Sequence, residues 1–357
     1  MSPAKTRRVT AIALAAAHAA WLIGAAVSAQ TGKAAQALPA TLSDAEFWAL
    51  SNRLSEPDGY FVSRSGSPDN LLSNENAISN VAVQLAARVK PGGVYLGVGP
   101  EQNFTYIAAM RPRFAIVTDI RRGNRNLHLL YKALFGLTST RSDFSARLFS
   151  RQPIPRSTPA TTAAELMTAV QRAPVMDEAA FAANLAAVDA YLTKTHGIPL
   201  EKLDLDGIEY VARNFYRFGP DINYTSSING RFGAFGSYAN IQSLTDSSGV
   251  GRTYLASDAA FTFVKDLEAK NLIVPIVGDF AGPKALRAVG AYLKERGAVV
   301  SAFYVSNVEM YLQQNGVWSS FCANAAALPL DRDSVFVRPG RGASWFSSIA
   351  SETSRCQ

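Results

Sequence analysis

Glycine, acidic, hydroxyl and amide residues stand where four predicted buried strands end, and these residue types can hold a ligand through backbone and side chain. The residues at these strand ends are Gly97, Gly99, Asp119, Asp279, Ser306 and Asn307. Because parallel strands of one sheet share an edge at their carboxyl ends, we expect these residues to meet there. The sequence therefore predicts a ligand-binding cleft at that edge.

The first two strand ends have the chemistry of a nucleoside site. Glycine at positions 97 and 99 lets the backbone approach a ligand closely, because no Cβ intervenes. Asp119 lies 22 residues after Gly97, an offset at which a carboxylate can accept hydrogen bonds from two ribose hydroxyls. A plainer interpretation stays open: the glycines only make a tight turn, and Asp119 and Asp279 cap the turns or helices that follow them.

The elements that position these residues alternate between strand and helix, as in a parallel sheet. Predicted strands cover 94–99, 114–119, 272–277, 298–305 and 334–337, and predicted helices cover 78–89, 103–110, 126–137, 163–172, 178–195 and 282–296. A first helix is expected to begin at Thr41 or Ser43, since either residue can cap it. Residues 204–255 show no clear period and are interpreted as irregular loops and short strands. The expected fold class is α/β, with a mainly parallel sheet flanked by helices and the first four strands adjacent or nearly so.

These residues resemble the S-adenosylmethionine-dependent methyltransferase superfamily, which has a Rossmann-like sheet. The resemblance covers residues 90–135 well and 270–310 loosely, and it implies S-adenosylmethionine as the cofactor. The residues that it places at the cofactor are Gly97, Gly99, Glu101, Asp119 and Asp279. The chain also resembles a family of bacterial proteins of this general build that has no settled activity.

The chain departs from the superfamily pattern at two positions. Tyr95 stands where methyltransferases usually carry an acid, and Glu101 stands at the third glycine. A carboxylate at position 101 either pairs with the ammonium group of the cofactor or blocks the place that this group needs.

Two functions follow from the resemblance, and the sequence leaves both open, as it leaves open whether the protein is an enzyme. The first is a methyltransferase whose acceptor the sequence does not name; methyl transfer depends mainly on positioning, and no catalytic residue is assigned. The second is an exported, non-catalytic relative. It would use the former cofactor cleft and the aromatic segment 210–238 to bind another small molecule or a partner.

The first residues have the layout of a secretory signal peptide. Lys5, Arg7 and Arg8 precede an uncharged apolar run at 9–27, and small residues lead to a cleavage position near Ala29. Cleavage there predicts an exported protein, periplasmic or secreted, with no stable membrane span. In the alternative interpretation the segment stays uncleaved and anchors the protein to a membrane.

Composition indicates a globular protein after this segment. Of the 357 residues, 48% are hydrophobic and 18% are charged, which excludes a disordered or coiled-coil chain. Residues 30–42 are expected to form a flexible leader, and 43–357 a single domain with helical and aromatic-rich insertions at about 140–260. Loss of the three basic residues lowers the net charge from +7 to +4. Without a clustered basic stripe, no nucleic-acid partner is expected.

Cysteine and histidine are too few for the common metal sites. Past the signal segment the chain keeps His128, His196 and two cysteines, so no metal is expected. Cys322 and Cys356 either form a disulfide that ties down the C-terminal tail or remain free thiols. The sequence carries neither a Gly-x-Ser-x-Gly elbow nor a His-Glu-x-x-His motif, so it does not indicate these hydrolase mechanisms.

Other polar and aromatic residues receive structural interpretations. Asp69, Asn74 and Glu75 are interpreted as a capping network for the helix at 78–89, and His128 as a residue on a helix face. Three acids are interpreted as surface residues and caps: Asp204, Asp206 and Glu209. Five aromatic residues are expected to pack in the core and in a lid: Tyr210, Phe215, Tyr216, Phe218 and Tyr224.

Overall fold

A six-stranded sheet organises the computed structural model, which describes residues 37–62, 66, 69–228, 236–339 and 345–356. The strands are β1 Val94–Val98, β2 Phe114–Asp119, β3 Ile273–Val277, β4 Val300–Tyr304, β5 Val335–Val337 and β6 Phe346–Ser348. They lie in the order β3-β2-β1-β4-β5-β6, with β1 to β5 parallel and β6 antiparallel to β5. The expected α/β class with a mainly parallel sheet is confirmed, and the four strands expected to be neighbours are neighbours.

Helices flank this sheet. In the described part of the chain they are α1 Asp44–Leu54, α2 Ile78–Arg88, α3 Gln102–Met110, α4 Arg122–Leu137, α5 Arg141–Leu148, α6 Ala163–Arg172, α7 Glu178–Ala190, α8 Lys202–Phe218, α9 Tyr238–Gln242, α10 Asp258–Ala269, α11 Ala285–Lys294, α12 Val308–Gln314, α13 Trp318–Ala326 and α14 Ile349–Thr353. Helix α4 packs on β2 and β3, and α1 packs on β3 and α11. Every residue of β1, β2 and β3 is buried, as expected for parallel strands covered on both faces.

The strand order reverses direction between β1 and β4. From β1 the chain moves through α3 to β2 on one side, whereas from β3 it moves through α11 to β4 on the other side of β1. Right-handed crossovers in opposite directions place α3 and α11 on opposite faces of the sheet. The loops after β1 and β4 therefore diverge, and the gap between them is where an open α/β sheet binds ligands.

One predicted segment is wrong. Residues 204–255 were expected to be irregular loops and short strands, but α8 occupies 202–218. Ile208, Val211 and Phe215 form its buried face, at helical spacing, while polar and aromatic side chains on its other face obscure that period. Strand β6 was not predicted, because three residues at a sheet edge carry too little pattern.

The N-terminal part of the described chain packs on the core. Ser43 caps α1 through a capping box with Glu46, one of the two predicted starts. Leu42, in the segment interpreted as a leader, is buried and its N–H donates to the carbonyl of Lys270 (3.0 Å). The predicted signal peptide at 1–29 lies outside the described residues. Among the described helices, none combines the length and the apolar character needed to cross a bilayer.

A disulfide joins the two cysteines of the chain. It links Cys322 in α13 to Cys356 after α14, with the Cα atoms 5.8 Å apart. Of the two alternatives left open by the sequence, the structure shows the bonded one. The C-terminal helix is thereby tied to α13, which packs against α11 and α12.

Candidate functional site

A cavity of about 170 Å³ opens at the carboxyl edge of the sheet, where the strand order reverses. Because one water needs only about 10–15 Å³ of such space, this cavity is large enough for part of an organic ligand. Its walls are the ends of four strands, α12 with the loop after it, two segments before α2, and Tyr224 after α8. The lining residues are Tyr60, Phe61, Asn70, Ser73, Asn74, Val98, Gly99, Pro100, Gln102, Asp119, Ile120, Arg121, Tyr224, Gly278, Asp279, Phe280, Tyr304, Ser306, Asn307, Val308, Tyr311, Leu312, Asn315 and Val317.

The turn after β1 is held by the side chain of Asn103. Its amide nitrogen donates to the carbonyls of Val98 (3.0 Å), Gly99 (3.0 Å) and Pro100 (2.7 Å), and its Oδ1 accepts from the Tyr95 hydroxyl (2.8 Å). Tyr95, at the position of the expected acid, therefore supports the turn. The hydroxyl anchors the amide, and the amide holds three carbonyls in place.

The two glycines of this turn have different roles. Gly99 has φ +78°, which favours glycine, and lines the cavity. Gly97 is outside the lining; a Cβ there would overlap the side chains of Asn103 and Tyr95. The structure thus places Gly99 at the cavity and gives Gly97 a packing role beneath it.

Asp119 ends β2 and lines the cavity with Ile120 and Arg121. Its Oδ1 accepts from the backbone N–H and from Nε of Arg121, both at 3.0 Å, and Nη2 of Arg121 lies 3.4 Å from Oδ2. The guanidinium also lies 5.4 Å from the ring centroid of Phe61, in cation–π contact. The carboxylate is therefore oriented before any ligand arrives.

Asp279 follows β3 and also lines the cavity. Its Oδ1 accepts from the N–H of Ala281 (2.9 Å). The expected alternative, that Asp279 caps the next helix, is wrong for α11. The carboxylate of Glu56 instead accepts from the N–H groups of Lys284 and Ala285, both at 2.7 Å, which frees Asp279 from that task.

Glu101 does not line the cavity. The residue is completely buried, and its carboxylate accepts from the backbone N–H of Ser73 at 3.3 and 3.4 Å. Burial raises its pKa to about 8, an effect that the nearby Glu75 reinforces. Neither of the two roles expected for Glu101 toward an ammonium group corresponds to this placement, because its carboxylate is held by the backbone beneath the cleft.

Glu75 belongs to the site although it was interpreted as part of a capping network. That interpretation is wrong, because α2 begins after Ala77 with no side-chain cap. The Glu75 carboxylate instead accepts from the hydroxyls of Tyr304 (2.6 Å), Ser306 (2.9 Å) and Tyr106 (3.2 Å). Burial raises its pKa to about 7, and the three hydroxyl donors oppose that rise. No sequence pattern points to a carboxylate in this place, since its partners lie on α3 and β4.

The wall formed by the end of β4 connects Glu75 to the glycine turn. The Tyr304 hydroxyl accepts from Nε2 of Gln102 (3.1 Å), which also donates to the carbonyl of Val98 (3.0 Å). Oε1 of Gln102 is buried and has no hydrogen-bond partner among the described residues.

His128 lies beneath the glycine turn. Its Nε2 is 2.9 Å from the carbonyl oxygen of Gly99, so Nε2 carries the proton and donates it. Burial lowers the pKa of the imidazole to about 4, and the ring is therefore neutral near pH 7. The residue lies on the buried side of α4 and supports the turn.

The acidic and aromatic residues of α8 and of the segment after it differ in whether they are exposed, buried or at the cavity. Asp206 and Glu209 are surface acids, paired with Lys202 and Arg213. Asp204 is buried, so its interpretation as a surface acid is wrong, and it pairs with Arg125 at 2.9 Å. Its interpretation as a cap is confirmed, because its Oδ2 accepts from the backbone N–H of Glu201 at the start of α8 (3.3 Å). Of the five aromatic residues interpreted as core and lid, Phe215 is in the core and Tyr224 lines the cavity.

Comparison with known proteins assigns the chain to a family. A family model described as Domain of unknown function (DUF7790) matches residues 71–195 and 234–355. The chain belongs to the DUF7790 family. The matched ranges contain all of the cavity-lining residues except Tyr60, Phe61, Asn70 and Tyr224, and they exclude the whole of α8. No curated protein matches the chain.

The cleft of this DUF7790 protein has two chemically different sides. One side presents Asp119 and Asp279 beside the apolar surfaces of Ile120 and Phe61, an arrangement that suits a ribose joined to a flat base. The other side presents Gln102 and Ser306, with Glu75 bonded to the serine. Among the residues described, no three His, Cys, Asp or Glu side chains are grouped so that they could hold a metal ion.

Proposed function

We propose that the cleft binds S-adenosylmethionine and that the protein transfers its methyl group to an acceptor. One observation carries this proposal: Gly99, Asp119 and Asp279, which end or follow three different strands, line a single cavity where the strand order reverses. A mostly parallel sheet in this order is compatible with a Rossmann-like fold, in which ligands bind at this place.

The residues present fit such a ligand. Asp119 would accept from the ribose hydroxyls, and the apolar Ile120 and Phe61 would contact the base. Gly99 leaves room at the turn, and Gln102, which also lines the cavity, would lie beside the methionine end of the ligand. When bound, the sulfonium supplies an electrophilic methyl group.

The roles of the chain's own residues are binding and orientation. Asn103 and His128 hold the glycine turn, and Arg121 holds the Asp119 carboxylate. Side chains fixed in this way lose little conformational freedom when a ligand binds, so the site is largely pre-organised. Positioning of this kind is the main contribution that methyl transfer requires of a protein.

A second candidate function is a non-catalytic binding protein for another ligand. The observation that favours it is the Asp119–Arg121 pair, because Oδ1 of Asp119 already accepts two hydrogen bonds and a guanidinium enters the same cavity. A ligand that carries an anionic group would then contact Arg121. The export expected from the first 29 residues agrees with this alternative, since the methyl donor is made in the cytosol.

Calorimetric titration of the purified protein tests the proposal. We expect saturable binding of S-adenosylmethionine and of S-adenosylhomocysteine, both weakened when Asp119 is replaced by alanine. Absence of heat from either compound, with a folded protein, would leave the non-catalytic candidate.

A further inference from the structure

We propose that Ser306 and Glu75 remove the proton from the methyl acceptor, which is therefore an O–H or N–H nucleophile bound beside the end of β4. This inference rests on the proposed methyl transfer and adds the substrate class. It assigns contact with the acceptor to Ser306, and it makes Glu75 a positioning residue that takes the proton through Ser306.

The backbone directs Ser306 toward the cavity. Ser306 follows β4 at φ +49°, a left-handed conformation that a serine adopts only under local constraint. Such strained residues cluster at functional sites. The residue lines the cavity, and its Oγ donates to Oε1 of Glu75 at 2.9 Å. Because its one hydroxyl proton points at Glu75, the lone pairs of Oγ are left to accept a hydrogen bond from a ligand.

Tyr304 does not offer the same route. Its hydroxyl donates to Glu75 and accepts from Nε2 of Gln102, so its hydrogen-bonding capacity is largely used by the protein. Tyr106 contacts Glu75 from α3 and does not line the cavity. Ser306 is therefore the hydroxyl through which Glu75 can reach a bound acceptor.

The electrostatic surroundings keep Glu75 poised between its two charge states. Its pKa is raised to about 7 by burial, and a base works best when its pKa lies near the operating pH. The groups that face it are Tyr95 on β1, Glu101 before α3, Tyr106 on α3, and Tyr304 and Ser306 at the end of β4. Glu101, with its pKa near 8, is mostly protonated at pH 7, so its repulsion of an ionised Glu75 is weak there. No lysine, arginine or histidine of the described chain hydrogen-bonds to Glu75.

The proton transfer balances as follows. The acceptor's oxygen or nitrogen forms a bond to the methyl carbon while the bond from that carbon to sulfur breaks, and sulfur keeps the electron pair. The acceptor's proton passes to Oγ of Ser306, and the serine's own proton passes to Oε1 of Glu75. The products are the methylated acceptor, the neutral thioether and a protonated Glu75, which returns its proton to solvent.

The relay limits the kind of acceptor. A carboxylate has no proton to give at pH 7, so Glu75 would not assist it. A phenol, an alcohol or an ammonium group must lose a proton, and each gains from a base at this place. We therefore assign the acceptor to the hydroxyl and amine classes.

The experiment compares the wild-type protein with Glu75→Gln, Ser306→Gly and two further variants. Ser306→Gly removes the hydroxyl at a position whose positive φ suits glycine, so folding is retained. Ser150→Gly is its matched control, because Ser150 is also a serine at positive φ (47°) and lies outside the cavity lining. Tyr106→Phe removes one hydrogen bond to Glu75 without touching the cavity.

Three quantities are measured for each protein. Calorimetry gives the affinity for S-adenosylhomocysteine. Carboxyl ¹³C NMR of the free protein gives the pKa of Glu75, assigned by the signal missing from Glu75→Gln. Transfer of labelled methyl groups from S-adenosylmethionine to phenol and benzylamine gives the rate from pH 5.5 to 9.

We expect equal S-adenosylhomocysteine affinity in all five proteins. Transfer by the wild type rises with pH through about 7, and Glu75→Gln and Ser306→Gly lower it roughly 100-fold, the scale of general base catalysis. In Tyr106→Phe both the Glu75 pKa and the midpoint of the rate profile move to higher pH, because a donor to the carboxylate is lost. Ser150→Gly matches the wild type.

Several results would overturn the proposal. One is a Glu75 that titrates near an ordinary carboxyl pKa. Another is a dependence of the transfer rate on pH that is unchanged in Glu75→Gln or Ser306→Gly. The third is binding of S-adenosylhomocysteine without methyl transfer to phenol or benzylamine. In these cases binding of S-adenosylhomocysteine remains, so the binding part of the proposed function stands while the proton relay fails. If the wild type does not bind S-adenosylhomocysteine, the proposed function fails and the proton relay fails with it.

Discussion

Arg121 donates twice to one oxygen of Asp119, through its backbone N–H and through Nε, both at 3.0 Å. The two residues are neighbours on the turn after β2, so the pair forms locally and leaves Oδ2 as the less occupied oxygen. The carboxylate at the end of β2 is therefore fixed in direction before a ligand binds.

Replacement of Asp119 by alanine should weaken adenosyl binding. Hydrogen bonds to a charged group contribute roughly 1.5–3 kcal/mol, which corresponds to about a ten- to hundredfold loss of affinity. Calorimetry with S-adenosylhomocysteine measures this change in affinity. Asp333→Ala, at an exposed carboxylate outside the cavity, is the control and should bind as the wild type does. Equal affinity in Asp119→Ala would exclude Asp119 from the binding site.

Replacement of Asn103 by alanine should destabilise the fold. The change leaves the buried Tyr95 hydroxyl without its acceptor. It also removes a donor shared by three carbonyls, two of which keep the donors Gln102 and His128. Leaving buried polar groups without partners costs about 1–3 kcal/mol. Urea unfolding measures the loss, and Asn315→Ala, at an exposed amide, should stay within about 0.5 kcal/mol of the wild type. A variant as stable as the wild type would show that the turn does not depend on Asn103.

The contribution of Glu101 to stability should fall as the pH rises from 5 to 8. The pKa of Glu101 is about 8 in the folded protein, against an ordinary value of 4.5. Between these values the unfolded chain has lost the proton that the folded protein keeps, so a rise in pH favours unfolding. With each pKa unit worth about 1.4 kcal/mol, Glu101 contributes on the order of 3–4 kcal/mol to this fall.

The variant Glu101→Gln separates this contribution from the rest. It carries no ionisable group at position 101, so the fall between pH 5 and pH 8 should become clearly smaller. Glu295→Gln, at an exposed carboxylate, should keep the wild-type dependence. Urea unfolding midpoints are measured at pH 5, 6.5 and 8. If the midpoint changes with pH equally in the wild type and in Glu101→Gln, the buried, protonated state of Glu101 is contradicted.

Reduction of the disulfide should lower the free energy of unfolding. Cys322 and Cys356 are 34 residues apart, and closing a loop of this length stabilises a protein by about 3–4 kcal/mol in the chain-entropy description. Urea unfolding with and without a reducing agent measures the difference. The double variant Cys322→Ser with Cys356→Ser should have the same urea midpoint with and without the reducing agent. If the wild-type midpoint is also unchanged by the reducing agent, the disulfide does not form.

Much of the fold is readable from the sequence because buried parallel strands are continuous apolar runs. The segments at 94–99, 114–119 and 272–277 coincide with β1, β2 and β3. Helix α8 was missed because its buried positions are separated by aromatic and polar residues. Strand β6 was missed because it pairs with β5 over three residues only.

Only those residues of the candidate site that lie at strand ends could be predicted from the sequence. Gly99, Asp119, Asp279 and Ser306 line the cavity, as the shared edge of the sheet requires. Glu75 was not recognisable, since its partners are 31, 229 and 231 residues away along the chain. Its role depends on tertiary contacts that no local spacing encodes.

A crystal structure of the protein with S-adenosylhomocysteine tests the central claim most directly. We expect the ligand in the cleft between the ends of β1 and β4, with its ribose hydroxyls hydrogen-bonded to Asp119 and its base beside Ile120, close to Gly99. A ligand bound elsewhere, or a cleft that stays free of it at saturating concentration, would contradict the claim.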